Sequence, residues 1–184
     1  MYDHYLEQNI EDRRSARFAL VVFLPPELDD HLAPLRERYD PLWSLIPAHA
    51  TIVFPFESRH SLDGLTGLIQ EELAHEPVIP IRLGTIHDFY PRYPVICWKI
   101  QKNEQLTGIY YRMYARLGMP IPFKEYQPHV TVAREISDHR VMLVKEKIVP
   151  YLSEEQFVAR SIELVTPLPG NRWVSVRTFP LAGA

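Results

Sequence analysis

The chain is poor in several things, and each shortage narrows what it can be. It has one cysteine, Cys97, so an internal disulfide framework is impossible and a cysteine-based zinc site is excluded in practice. Cys97 lies in the apolar run Val95-Ile96-Cys97-Trp98 and reads as a small core residue. Long apolar runs are missing as well. The longest early one, Phe18 to Leu24, is too short to span a bilayer. The segment Met1 to Arg17 is polar, carries acidic residues and lacks the apolar stretch of a signal peptide, so a cytoplasmic protein with no membrane partner is expected. Basic excess is absent too. A formal net charge of −3 argues against a broad surface for duplex DNA, because such binding neutralises many phosphates at once. Glycine is scarce, at 7 against 17 prolines, which points to stiff turns between short elements.

What is present is ordinary globular composition: 46% hydrophobic and 23% charged residues over 184 positions, enough for one domain or two small lobes sharing a core. Periodicity predicts a buried strand over Arg17 to Leu24 and a helix over Pro26 to Tyr39, with a proline near its start and Leu28, Leu32 and Leu35 on one face. It predicts a strand at His49 to Phe54 and a helix at Ser61 to His75 capped by Ser61. Strands follow at Val78 to Ile86 and Pro94 to Gln101. A third helix spans Asn103 to Leu117, a strand His129 to Ala133, and a fourth helix Ser137 to Tyr151. Phe157 to Val165 and Arg172 to Phe179 close the chain as strands.

The order helix, strand, helix, strand, strand thus occurs twice. We read an internal duplication, with halves at about 26–101 and 103–181 and a polar arm at 1–16. The fold class expected is α+β: a single bilobal domain over 1–184. Its two pseudo-symmetric lobes are each an antiparallel sheet with helices outside, facing across a central cleft. The first strand is placed to pair with the last and tie the ends together.

Two short segments occupy equivalent places in that duplication: His49-Ala50-Thr51-Ile52 and His129-Val130-Thr131-Val132. Residues two apart on a strand share a face, so His and Thr project together while the apolar residues turn to the core. One His-x-Thr is unremarkable as half-exposed sheet. Two of them, each in an apolar strand and at matching positions, point to chemistry. A pair of imidazoles suits phosphodiester cleavage: one takes a proton from the nucleophile and the other gives one to the leaving oxygen. Each threonine hydroxyl can donate to a phosphate oxygen as charge grows on it. The scheme requires no metal and no cofactor. The other histidines, His4, His31, His60, His75, His87 and His139, show no ligand spacing.

These paired motifs resemble the 2H phosphoesterase superfamily, in particular its bacterial 2′-5′ RNA ligase and cyclic phosphodiesterase branch. Arg17-Phe18-Ala19-Leu20-Val21 through Pro25-Pro26-Glu27-Leu28 resembles the family's opening strand and helix start. Pro94 to Trp98 resembles its central strand, Tyr126 to Arg134 its extended second motif, and Arg172 to Leu181 its closing strand. The resemblance implies a cofactor-free, bilobal enzyme that hydrolyses 2′,3′-cyclic phosphates of nucleotides or RNA ends to 2′-phosphates. Some members make or break 2′-5′ linkages, so a 2′-5′ RNA ligase or phosphodiesterase is an alternative. A non-catalytic nucleotide- or RNA-binding module is another. By position, His49, Thr51, His129 and Thr131 carry over as catalytic. Arg134 carries over as a phosphate contact, its planar fork matching phosphate oxygens. Phe54 and Tyr126 flank the motifs and are candidates to stack on a base. The expected partner is a small nucleotide or RNA end, bound by a monomer.

Overall fold

In the computed structural model of the chain, residues 17–183 are described; the polar arm at 1–16 lies outside them. Eight strands form one antiparallel sheet in the order β6-β3-β4-β5-β2-β1-β7-β8. They are β1 (Arg17–Phe23), β2 (His49–Glu57), β3 (Ile79–Asp88), β4 (Ile96–Ile100), β5 (His129–Ala133), β6 (Glu155–Ala159), β7 (Ser161–Pro167) and β8 (Trp173–Pro180). Four helices pack on one face: α1 (Pro26–Tyr39), α2 (Leu62–Leu73), α3 (Glu104–Arg116) and α4 (Val141–Ile148). The α+β class expected from the sequence is what the chain adopts, as a curled sheet with helices. No described helix is long and apolar enough to cross a membrane.

The helix boundaries follow local chemistry. Pro25 and Pro26 open α1, where the missing N–H costs nothing. The Ser61 hydroxyl accepts from the Gly64 N–H at 3.2 Å to cap α2, and the Asn103 side chain accepts from the Leu106 N–H at 2.9 Å to cap α3. The fourth helix is shorter than its periodicity suggests. It breaks into a 3₁₀ turn at Asp138–Arg140, α4, and a second 3₁₀ turn at Val149–Tyr151. Pro150, which has no N–H to continue the ladder, accounts for the second break.

The sheet divides at its centre into β2-β1-β7-β8 and β5-β4-β3-β6. The two quartets join through a single register pair between β2 and β5, Ala50 opposite Val130. Lobes and sequence halves do not coincide. β3 and β4 precede residue 103 yet sit in the second lobe, and β7 and β8 return to complete the first. The stretch Phe157 to Val165, which reads as one strand, is two. It breaks at Arg160, where the chain leaves β3 in one lobe and joins β1 in the other. β1 pairs with β7, and β8 lies outside it, so the last strand is a neighbour once removed.

One face of the sheet carries the main core. Phe18, Leu20, Val22, Ala50, Ile52, Val130 and Val132 are all buried there beneath the helices. At roughly 25 cal/mol per Å² of apolar surface, this continuous layer dominates stability. The opposite face is thinner in the first lobe, with Ala19, Val21 and Val165 buried and Phe23 and Trp173 packed against them. It also carries both His-x-Thr pairs.

Candidate active site

Because β2 and β5 run antiparallel about the Ala50–Val130 pair, His49 falls alongside Thr131 and Thr51 alongside His129. Ala50 and Val130 are fully buried, as alternation requires, and the four polar side chains are half-buried on the other face. The structure thus brings together the four residues picked out by the two motifs.

Both histidines are anchored identically. His49 Nδ1 lies 2.8 Å from the Pro47 carbonyl, and His129 Nδ1 lies 2.8 Å from the Gln127 carbonyl. A carbonyl only accepts, so each Nδ1 carries a proton and the neutral ring keeps its lone pair on Nε2. Edge-on aromatic contacts flank them: Phe23 against His49 at 6.2 Å and Phe89 against His129 at 5.0 Å between ring centres. Burial holds His49 down, to about 4, assisted by the nearby Arg36 and Arg134 guanidiniums and opposed by the Pro47 carbonyl and Asp40. Burial lowers His129 as well, with Arg134 and His87 contributing and the Gln127 carbonyl opposing. Without a ligand, both rings are neutral at neutral pH.

Arg134 follows the second motif and influences both histidines. Its Nε sits 3.0 Å from Asp40 Oδ1, with the N–H off the line to that oxygen, so charge rather than an aligned hydrogen bond holds the pair. Asp40 also takes two bonds from Arg36, at 3.2 and 3.1 Å. Arg36 reaches the Ile46 carbonyl at 3.0 Å, just ahead of His49. The residue after Arg134, Glu135, is left-handed at φ 55°.

A cavity of ≈ 640 Å³ opens beside His129, Thr131 and Arg134. Its walls are aromatic, from Phe54, Phe89, Tyr93 and Phe123, with Arg92 and Lys124 supplying positive charge. Phe54 meets Phe123 edge-on at 5.2 Å. Tyr126 is placed differently from the base-stacking role expected of it. One ring face lies on Tyr110, 4.2 Å away and nearly parallel, and its hydroxyl donates to the Thr51 carbonyl at 2.7 Å. Burial raises its pKa, so it stays a donor and ties the approach to the second motif onto the first.

The rows of side chains beside the two threonines differ. In the first lobe Thr51, Val21 and Glu163 align across three strands; in the second Thr131, Cys97 and His87 do. Glu163 is buried and accepts from Ser161 at 3.0 Å, Thr178 at 2.7 Å and Ser175. Cys97 is buried and its thiol is pushed up to about 12 by desolvation, so it is inert packing.

Sequence reasoning missed Phe23, Phe89 and Phe123 beside the motifs, and the Arg36–Asp40 pair behind them. Phe89 lies between the strands expected at Val78 to Ile86 and Pro94 to Gln101, where no alternation marks it. Arg36 and Asp40 are spaced as an ordinary exposed helical ion pair; only the fold buries them. Among the described residues no group of three or more His, Cys, Asp or Glu could hold a metal ion.

A curled antiparallel sheet presenting two His-x-Thr strands side by side defines a 2H phosphoesterase. The chain belongs to the 2′-5′ RNA ligase superfamily, whose family model matches residues 24–170. A Geobacillus kaustophilus protein named “Putative phosphoesterase” is 26% identical over 169 residues, 91% of this chain and 97% of that protein. A Bacillus licheniformis protein of the same description is 30% identical over 168 residues, 90% and 98% of the two chains. Among solved structures, Escherichia coli LigT with phosphate superposes with a TM-score of 0.63 at 14% identity, covering 92% of this chain and 99% of that one. LigT with 3′-AMP gives 0.63 at 16%, covering 91% and 99%.

Proposed function

We propose that the chain hydrolyses 2′,3′-cyclic phosphates, of nucleotides or of RNA ends, to 2′-phosphates, with His49 and His129 as general base and general acid. The observation that carries this reading is the shared anchoring of the two rings. Each is fixed through Nδ1–H to a backbone carbonyl, which leaves both Nε2 atoms free to handle protons on one face of the sheet. Water attacks phosphorus as one neutral imidazole takes its proton. The P–O3′ bond breaks as the other, protonated, imidazole gives its proton to O3′. The 2′-phosphate and a free 3′-hydroxyl leave.

Burial opposes the protonated ring, so something must favour it. The substrate phosphate does so, since an anion beside a depressed histidine raises its pKa. Thr51 and Thr131 donate to the non-bridging oxygens as charge grows on them, and Arg134 pairs with the negative charge the phosphate carries from the moment it binds. The nucleobase lies in the cavity beside His129 among Phe54, Phe89 and Phe123, with Tyr126 at its wall. LigT, a relative in fold, has been crystallised with phosphate, ATP and 3′-AMP, which agrees with nucleotide-sized ligands for this architecture.

A second reading, action on 2′-5′ linkages, draws support from Arg92 and Lys124 lining the cavity, where they suit a further phosphate. One experiment tests both. The purified chain and a His49→Ala/His129→Ala variant are incubated in EDTA with the four nucleoside 2′,3′-cyclic monophosphates and with a 2′-5′ dinucleotide. The leading reading expects 2′-monophosphates from the cyclic substrates with the unaltered chain alone. Cleavage of the dinucleotide with no opening of the cyclic phosphates would transfer the assignment to the second reading.

A further inference from the structure

We infer that Asp40 is a positioning residue for the phosphate site: it sets Arg134 in place beside the two His-x-Thr strands and locks that guanidinium to the segment leading into His49. The inference rests on the phosphate-binding reading above and adds to it a residue outside both motifs.

The geometry converges on one carboxylate. The Asp40 side chain is fully buried and ends α1. Its Oδ1 accepts from the Leu42 N–H at 3.0 Å and faces Arg134 Nε at 3.0 Å. Its Oδ2 takes the two bonds from Arg36, itself only 3% exposed. Arg36 then holds the Ile46 carbonyl and lies 3.7 Å from Asp29, and Asp29 accepts from the Ala48 N–H at 2.9 Å. One chain of contacts therefore runs from Arg134, after β5, to the residue just before His49 on β2. The backbone reinforces it, since the Arg134 N–H donates to the Tyr39 carbonyl at 3.0 Å.

Burying the Arg36 guanidinium and the Asp40 carboxylate, with Arg134 and Asp29 drawn partly out of water, is costly for stability alone. Apolar residues of the same volume often do as well or better, so such a network is better explained by what it holds than by what it stabilises. What it holds is the root of the Arg134 fork. Pairing occurs at Nε, and among the described residues nothing accepts a hydrogen bond from the two terminal nitrogens, which remain for a phosphate.

The sign of the effect separates positioning from simple charge. Removing a carboxylate near an anion site, by charge alone, strengthens anion binding. Loss of positioning weakens it. The test titrates the full chain with inorganic phosphate by calorimetry, in the unaltered protein and in Asp40→Asn, Arg134→Ala and the double variant, with thermal unfolding followed in parallel. Asp40→Asn is expected to weaken phosphate about tenfold and to raise KM far more than it lowers kcat, in keeping with one lost charge-assisted contact. The double variant is expected to bind no worse than Arg134→Ala.

Unchanged or tighter phosphate binding in folded Asp40→Asn would overturn the inference, and so would effects of the two substitutions that simply multiply. If the unaltered chain binds no phosphate, the phosphoesterase reading falls as well, and that outcome is distinct from the others. Should Asp40→Asn fail to fold, the Arg134 Nε–H resonance of the unaltered protein decides. A slowly exchanging signal present before phosphate is added supports a preset arginine; one that emerges only with phosphate overturns it.

Discussion

The two His-x-Thr segments share a frame and differ in their surroundings. Both lie on central strands with buried apolar alternates, and both fix the imidazole through Nδ1 to the carbonyl two residues upstream. Around His49 stand Phe23 and the buried Arg36–Asp40 pair, which Asp29 flanks at the half-exposed edge. Around His129 stand Phe89, His87 and an open aromatic cavity. Repetition of the motif supplies two like groups; the neighbourhood supplies the inequality that acid–base catalysis needs. One side holds its ring and the adjoining arginine in a polar network, and the other opens onto an aromatic-walled cavity.

The hardest blow to this comparison would come from the histidines themselves. His49→Ala and His129→Ala should each lower kcat/KM by about 10²–10⁴-fold for a cyclic nucleotide, measured by product formation. A loss at one and near-full activity in the other would mean that only half the pair works. Next in size is the pH dependence of stability. His49 is held near 4 in the fold against 6.5 in the unfolded chain, so the unfolded state binds more protons between those values. Stability should therefore fall as pH drops from 6.5 toward 4, by at most about 3 kcal/mol from this residue. Urea unfolding across that range should show a shallower slope in His49→Ala. An unchanged slope would break the claim that burial holds the first ring neutral.

Thr51→Val and Thr131→Val should each reduce kcat by roughly 10–100-fold, as expected for loss of one hydrogen bond to a charged oxygen. Equal losses would extend the symmetry to the threonines, and unequal ones would show which side binds the non-bridging oxygens. The smallest effect should be the most lopsided. Phe123→Ala should raise KM for a cyclic nucleotide about tenfold, at the level of one lost base stack, while Trp43→Ala, at a residue that lines the first lobe's hollow with Phe23 and Trp173, leaves it within twofold. A matching rise for Trp43→Ala would put the base in the wrong lobe.

Much of this was legible before the structure, for identifiable reasons. The helices at Pro26 and Ser61 announce themselves through a proline start and a capping side chain, and the one from Asn103 through an apolar stripe at Leu106, Ile109, Tyr110 and Met113, all of them local devices. The two motifs stand out because alternation with Ala50, Ile52, Val130 and Val132 fixes which way His and Thr face. The break at Arg160 was not legible, because both flanking pieces are good strand and only their different partners, β3 and β1, separate them. The interleaving of lobes is hidden for the same reason, since pairing between distant strands leaves no local signature. Asp40 carries no signal either: a charged residue at a helix end is normally solvated, and its burial comes from the meeting of α1 with β5.

The crossing at Arg160 has a consequence for how the molecule is made. A ribosome releases β1 and β2 early, but β7, which must lie against β1, arrives only after β3 to β6. Until then the first quartet has an open edge at β1, the strand beside the one bearing His49, which waits for a partner from the far end of the chain. The second quartet is contiguous, within residues 79–159, but the first is closed only when β7 and β8 return, so a product truncated before β7 should be inactive and the paired motifs are framed only once nearly the whole polypeptide has been delivered.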